Sequence, residues 1–153
     1  MSIDAKLAEL GLTLPNAPAP AANYVPYVKS GSTLYVSGQI SMAADGSLIT
    51  GKVGADLDVE AGAEAAKRCA LSLLAQVHAA CGGDWNALSR VVKLTGFVNS
   101  TPDFTEQPKV INGCSDTLVA ILGDQGRHAR SAVSAGALPL NVAVEIEGIF
   151  ELK

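Results

Sequence analysis

A two-layer α/β sandwich, a mixed β-sheet with two long helices on one face, is the architecture that this sequence predicts. Three observations predict it. Residues 58–80 and 108–122 repeat apolar side chains at three- and four-residue spacing, the period of a helix with one buried face. The runs at residues 27–39, 90–98, 131–135 and 142–151 are rich in β-formers or alternate apolar with polar positions. Their order is hairpin, helix, strand, helix, strand, strand, so both helices can lie against one side of a single sheet. At 153 residues one domain spanning 1–153 suffices, with residues 1–20 as an N-terminal extension.

Each element follows from local chemistry. Ile3, Leu7 and Leu10 fall on one side of a short helical turn that Gly11 ends. The stretch PNAPAPAANYVP is a connector, because Pro15, Pro18 and Pro20 lack amide donors and keep the chain extended. A hairpin spans Tyr27 to Gln39 and turns at Ser30-Gly31-Ser32, and Ala44-Asp45-Gly46 marks a further turn. Gly51, Val53 and Gly54 lie in an irregular loop that leads to the first long helix. That helix starts at Asp58, a good N-cap, and stops before Cys81-Gly82-Gly83. Ala66, Ala70, Leu73, Leu74 and Val77 form its apolar stripe, while His78 is placed on its solvent side.

Asp84 can cap a short turn through Leu88, and RVVKLTGFV from Arg90 to Val98 reads as a strand. The second helix runs from Pro108 to Leu122 and closes at Gly123, followed by strands at Ser131–Ala135 and Val142–Glu151. Nothing in this arrangement covers the second face of the sheet, so packing against further copies of the chain is expected.

Composition narrows the function. A net charge of −4 and a pI near 5.0 provide no broad positive field, and no basic run compensates locally, so nucleic-acid and anionic-membrane binding are disfavoured. Cys69, Cys81 and Cys114 are odd in number and widely spaced, and only His78 and His128 add imidazoles. Neither a disulfide framework nor a metal site is expected, and each cysteine reads as a small buried hydrophobe. With no leader pattern and no long apolar span, the expectation is a reduced, cytoplasmic protein.

The segment from Arg130 to Glu147 carries the chemistry. Arginine offers a planar fork of donors that matches a carboxylate, and a glutamate on a neighbouring strand can polarise water. A cation and a base facing one small pocket suit a carboxylate substrate. Strand alternation puts Arg130 and Ala132 on one face, and Glu145 and Glu147 together opposite Val144 and Ile146. Taken alone, the glutamates more often describe the solvated side of an edge strand, and Arg130 a surface ion-pair partner. Asp124 to His128 reads as a helix-to-strand loop with no assigned role.

Two ordered blocks change that balance. Arg130-Ser131, Leu138-Pro139 and Val144-Glu145-Ile146-Glu147 match the C-terminal signature of the YjgF/RidA family, and Ser37-Gly38-Gln39-Ile40 matches its early hairpin block. From about residue 20 to 153 the chain resembles this family of small trimeric proteins, many of which hydrolyse reactive imines or enamines. The resemblance implies a chorismate-mutase-like fold, a homotrimer and pockets between subunits. It also implies a cofactor-free 2-iminopropanoate-type deaminase that yields ammonia and a 2-keto acid. Arg130 then corresponds to the residue that binds the substrate carboxylate, and Glu145 to the one that activates or positions water. Tyr24, with Tyr27 as the competing choice, Ser37, Gly38 and Asn112 correspond to ligand-site residues. Ala132 stands where the best-studied deaminase branch often has cysteine, and the segment TEQPKVINGC is longer than in short members.

A small-carboxylate-binding or regulatory protein without catalysis is the alternative. Endoribonuclease activity, described for some relatives, is disfavoured by scattered cations and few aromatics.

Overall fold

The computed structural model describes residues 1–17 and 23–153, so Pro18 and Pro20 of the proline-rich connector lie outside the described residues. The elements are α1 (Ile3–Glu9), β1 (Tyr27–Ser30), β2 (Thr33–Ile40), α2 (Val59–Ala80), β3 (Leu88–Asn99), α3 (Gln107–Leu122), β4 (Ala129–Ala135) and β5 (Val144–Leu152). One five-stranded sheet has the order β1-β2-β5-β3-β4, in which only β3 and β4 run parallel. The mixed sheet and its helices are those expected from the sequence.

Local signals place the elements. Ser2 and Asp58 cap α1 and α2 by accepting from the amides of Ala5 and Ala61. Past Cys81, Gly82 and Gly83 take positive φ and carry the chain away from α2. Pro108 lies in the first turn of α3, where its missing N–H leaves no intrahelical bond unmade. Asp84 accepts from the amide of Asn86 and opens a single 3-10 turn before β3. The strands β3 and β4 begin two residues earlier than expected and β5 two residues later, because their ends are set by pairing with neighbours.

The core lies between the sheet and the two long helices. Leu34, Val36, Val91, Leu94, Ile146 and Phe150 of the sheet are buried against Ala66, Ala70, Leu73 and Val77 of α2 and Ile111 and Leu118 of α3. Each large side chain contributes about 1.5–3 kcal/mol by leaving water. The helices approach so closely that a methyl group on Gly113 would collide with the backbone of Ala63. Cys69 and Cys114 are buried, and Cys81 is half-buried.

His78, expected on the solvent side of α2, is half-buried there. Its ring packs on Trp85 at 4.6 Å, and the indole N–H of Trp85 donates to Asp4 of α1. From that position His78 helps seat the N-terminal extension.

Two further features position the site. Val36 pairs with Gly148 and Gln39 with Ile146, so Ser37 and Gly38 together oppose Glu147 in a β-bulge. The opposite face of the sheet, away from the helices, keeps Val28, Tyr35 and Val133 exposed. Among the described residues no helix is long and apolar enough to cross a membrane.

Candidate functional site

The residues singled out in the sequence form two groups on opposite faces of the sheet. The first group lies where α3 meets β4, an edge strand. Arg130 pairs in register with buried Leu94, and its guanidinium turns toward α3. Nη1 donates to the Ser115 hydroxyl at 3.0 Å and Nη2 to the Pro108 carbonyl at 3.2 Å. Guanidinium carries five N–H donors, so three remain for a ligand. Among the described residues no carboxylate lies within ion-pairing distance of Arg130.

Pro108, Asn112 and Ser115 follow one another at four- and three-residue spacing, so they share a helical stripe. Asn112 is exposed on that stripe, between the two groups that hold the guanidinium. Ala132 pairs with Gly96 and packs half-buried against the core, where it presents only a methyl group.

The second group is built around the bulge. The amide of Ser37 donates to the Pro26 carbonyl at 2.9 Å, its hydroxyl donates to the same oxygen at 3.1 Å, and its carbonyl accepts from Gln39 Nε2. Ser37 is thus fully engaged in pinning the chain, which leaves its neighbour Gly38 open to the Glu145 side chain. Glu145 pairs with Ile40 on one side and Phe97 on the other. Burial among these residues pushes its carboxyl above the usual carboxylate range, and the Glu147 carboxylate on the same face pushes it further.

Tyr24 is 57 % exposed and lies two residues from Pro26. Tyr27 instead pairs with buried Val36 and packs against the core. Of the two tyrosines, Tyr24 is the one free to meet a ligand.

Within a single chain Arg130 and Glu145 face opposite sides of the sheet, so the two do not form one wall of a pocket by themselves. The register Arg130–Leu94 points to the helices, whereas Glu145–Phe97–Val133 points away from them. Two strand steps also separate them, since β3 lies between β4 and β5. Two open concavities of the chain have other linings. One of about 610 Å³ touches Thr13, Asn16 and Arg68, and one of about 620 Å³ touches Asp56 and Phe104.

Sequence reasoning left out two residues that the geometry adds. His128 Nε2 lies 2.9 Å from Ser115 Oγ, the same oxygen that accepts from Arg130. His128, Arg130 and Ala132 alternate along the chain, so a shared face was visible for His128. Its contact with Ser115, thirteen residues earlier on a helix, was not.

The chain has clear relatives. It is 49% identical over 151 residues to Protein TCP17 of Trypanosoma cruzi, an alignment that covers 98% of this chain and 94% of the relative. The crystal structure of Atu1372 from Agrobacterium tumefaciens, a protein of unknown function, superposes with a TM-score of 0.92 at 50% identity, over 99% of this chain and 92% of that one. The YjgF gene product of E. coli superposes with a TM-score of 0.61 at 30% identity, over 89% and 93% of the two chains. Residues 4–152 match the family described as "YjgF/chorismate_mutase-like, putative endoribonuclease". With the fold in agreement, this chain belongs to the YjgF/chorismate-mutase-like family.

Proposed function

We propose that this protein hydrolyses reactive 2-imino or enamino acids to a 2-keto acid and ammonia, in pockets completed between copies of the chain. The observation that carries this reading is Arg130, a guanidinium with three spare donors and no carboxylate partner among the described residues. Such a group matches the carboxylate of an amino-acid-derived imine in two-point contact.

Glu145 supplies the second half of the chemistry. Its raised carboxyl pKa makes it a stronger base than an ordinary carboxylate. With the imine nitrogen protonated, it takes a proton from water as the oxygen adds to the imine carbon and the C=N electron pair moves to nitrogen, forming a neutral carbinolamine. It then returns that proton to nitrogen, and as the C–N bond breaks the hydroxyl proton passes back to the carboxylate, leaving ammonia and the 2-keto acid.

Geometry supports a site shared by two copies. Neighbouring strands are about 4.8 Å apart, so β4 and β5 are separated by about 10 Å, and the two side chains point to opposite faces. In a 2-imino acid the carboxylate carbon is bonded directly to the imine carbon. A molecule held on Arg130 therefore cannot meet Glu145 of the same chain. The exposed Val28, Tyr35 and Val133 favour covering the bare face with further copies, and the family resemblance supports a homotrimer as that assembly.

The test is ammonia release when an amino-acid oxidase generates 2-iminopropanoate in the presence of the pure protein. Faster release that Arg130→Ala abolishes is expected, and unchanged release sinks the reading for that substrate. Carboxylate binding without turnover is the second reading, favoured because the Arg130 group is assembled within one chain while Glu145 stands apart. Glu145→Gln separates the two, since hydrolysis requires the base and binding alone does not.

A further inference from the structure

His128 and Ser115 have no part in that reaction scheme, yet they contact the residue at its centre. His128 Nδ1 lies 2.6 Å from the Gly126 carbonyl oxygen, which can only accept, so Nδ1 carries the proton. A neutral ring then has a bare Nε2, and the Ser115 hydroxyl donates to it across 2.9 Å. The Ser115 oxygen in turn accepts from Arg130 Nη1. The relay runs in one direction, from Arg130 through Ser115 and His128 to the Gly126 carbonyl.

We propose that Ser115 and His128 are positioning residues of the carboxylate site: they orient the Arg130 guanidinium, and protonation of His128 frees the Ser115 hydroxyl to donate to the bound carboxylate. The inference rests on the reading of Arg130 as the carboxylate anchor. In the neutral relay the only hydroxyl hydrogen of Ser115 is consumed by His128. Once Nε2 is protonated it becomes a donor, and the Ser115 oxygen accepts from both His128 and Arg130. Its hydrogen must then turn elsewhere, and an anion on the adjacent guanidinium offers it a charged acceptor, stronger than a helix carbonyl one turn back of the kind that Thr117 uses. That anion also offsets the second positive charge.

Several charged groups surround the ring. Arg130 lies on β4, and Asp116 is next to Ser115 on α3. The connector before β4 contributes Asp124 and Arg127, paired with each other at 3.3 Å. Arg90 of β3 donates to the Arg127 carbonyl, and the buried Cys114 thiol lies on α3 beside Ser115. Burial depresses the His128 pKa most, the Arg130 charge depresses it further, and the Gly126 hydrogen bond opposes both. The ring is therefore neutral at pH 7 in the free protein and protonates below its ordinary range.

Binding and protonation are reciprocal. If a carboxylate favours the protonated ring, it raises the His128 pKa, and acid tightens carboxylate binding. A merely structural contact would produce neither effect.

The chain has two histidines, so His78 serves as an internal control. Ring titrations by NMR on the full chain, with and without saturating pyruvate, should show the His128 pKa rising while His78 stays in place. Calorimetry should show pyruvate binding at least about fivefold tighter near pH 5 than near pH 8. In a Glu145→Gln background, where that carboxylate cannot contribute to the slope, His128→Gln and Ser115→Ala should bind with a flat profile, and Ser115→Thr should restore the slope. An unmoved His128 pKa, or a slope that persists when His128→Gln is combined with Glu145→Gln, overturns the proposal. Pyruvate affinity unaffected by Arg130→Ala, or no pyruvate binding at any pH, instead overturns the reading of Arg130 on which it rests.

Discussion

A methyl group built on Gly38 would stand 2.8 Å from the carboxyl carbon of Glu145, so the Glu145 side chain occupies the space that any other residue at position 38 would need. The two residues belong to different strands, and the bulge at Ser37-Gly38 brings them together. A glycine in the early hairpin is thereby tied to the orientation of an acid more than a hundred residues later.

Gly38→Ala should separate catalysis from stability. The colliding atoms belong to a flexible, half-buried side chain, so the fold can yield at a cost of about 1–2 kcal/mol. The carboxylate, however, must swing away from its place, and a displacement of about 1 Å can cost a base roughly 100-fold in rate. A thermal melt paired with the imine-hydrolysis assay checks this: kcat should collapse while the melting temperature falls only a few degrees.

The pH profile should report Glu145. Only the ionised carboxylate accepts a proton from water, so kcat/KM should fall as pH drops through its raised pKa. Burial is the main cause of that shift and Glu147 the lesser one. Glu147→Gln should therefore move the acid limb to lower pH by a small amount, and Glu145→Gln should abolish turnover. For stability the sign follows from the same shift: relative to the unfolded chain, the raised pKa favours the fold at low pH, and that contribution fades as pH rises through it.

Gly113 links packing to the site. It lies on α3 between Asn112 and the Ser115 that holds Arg130, and a methyl group there would meet the backbone of Ala63 on α2. Unlike a side-chain tip, helix backbone cannot yield locally. Gly113→Ala should push the helices apart, destabilise by about 1–3 kcal/mol and raise KM by shifting the Arg130 support. Denaturant melts and steady-state kinetics check both effects, and a native melt would argue against so tight a helix contact.

Much of this fold was legible because its signals are local. Asp58 and the glycines after Cys81 bound α2, and the RVVKLTGFV run marks β3. The 3-10 turn at Pro139–Asn141 was not legible, because Leu140 and Asn141 take positive φ without being glycine. Its support comes from afar: Asn99 Nδ2 donates to Asn141 Oδ1 and to the Val142 carbonyl. Alternation likewise showed that Arg130 goes with Ala132 and Glu145 with Glu147. It could not show that the pairs face opposite ways, since that depends on β3 lying between β4 and β5 and on the register at Leu94 and Phe97.

The central claim is that Arg130 of one copy works with Glu145 of another, and mixing two inactive variants tests it most directly. Arg130→Ala and Glu145→Gln are unfolded together in equal amounts, refolded, and assayed for 2-iminopropanoate hydrolysis beside each variant refolded alone. Each variant alone has no complete site. In the mixture, about one quarter of the interfaces between copies join an intact Arg130 to an intact Glu145, so about one quarter of wild-type activity should return. A mixture as inactive as its parents, or full activity in either parent, would contradict the account.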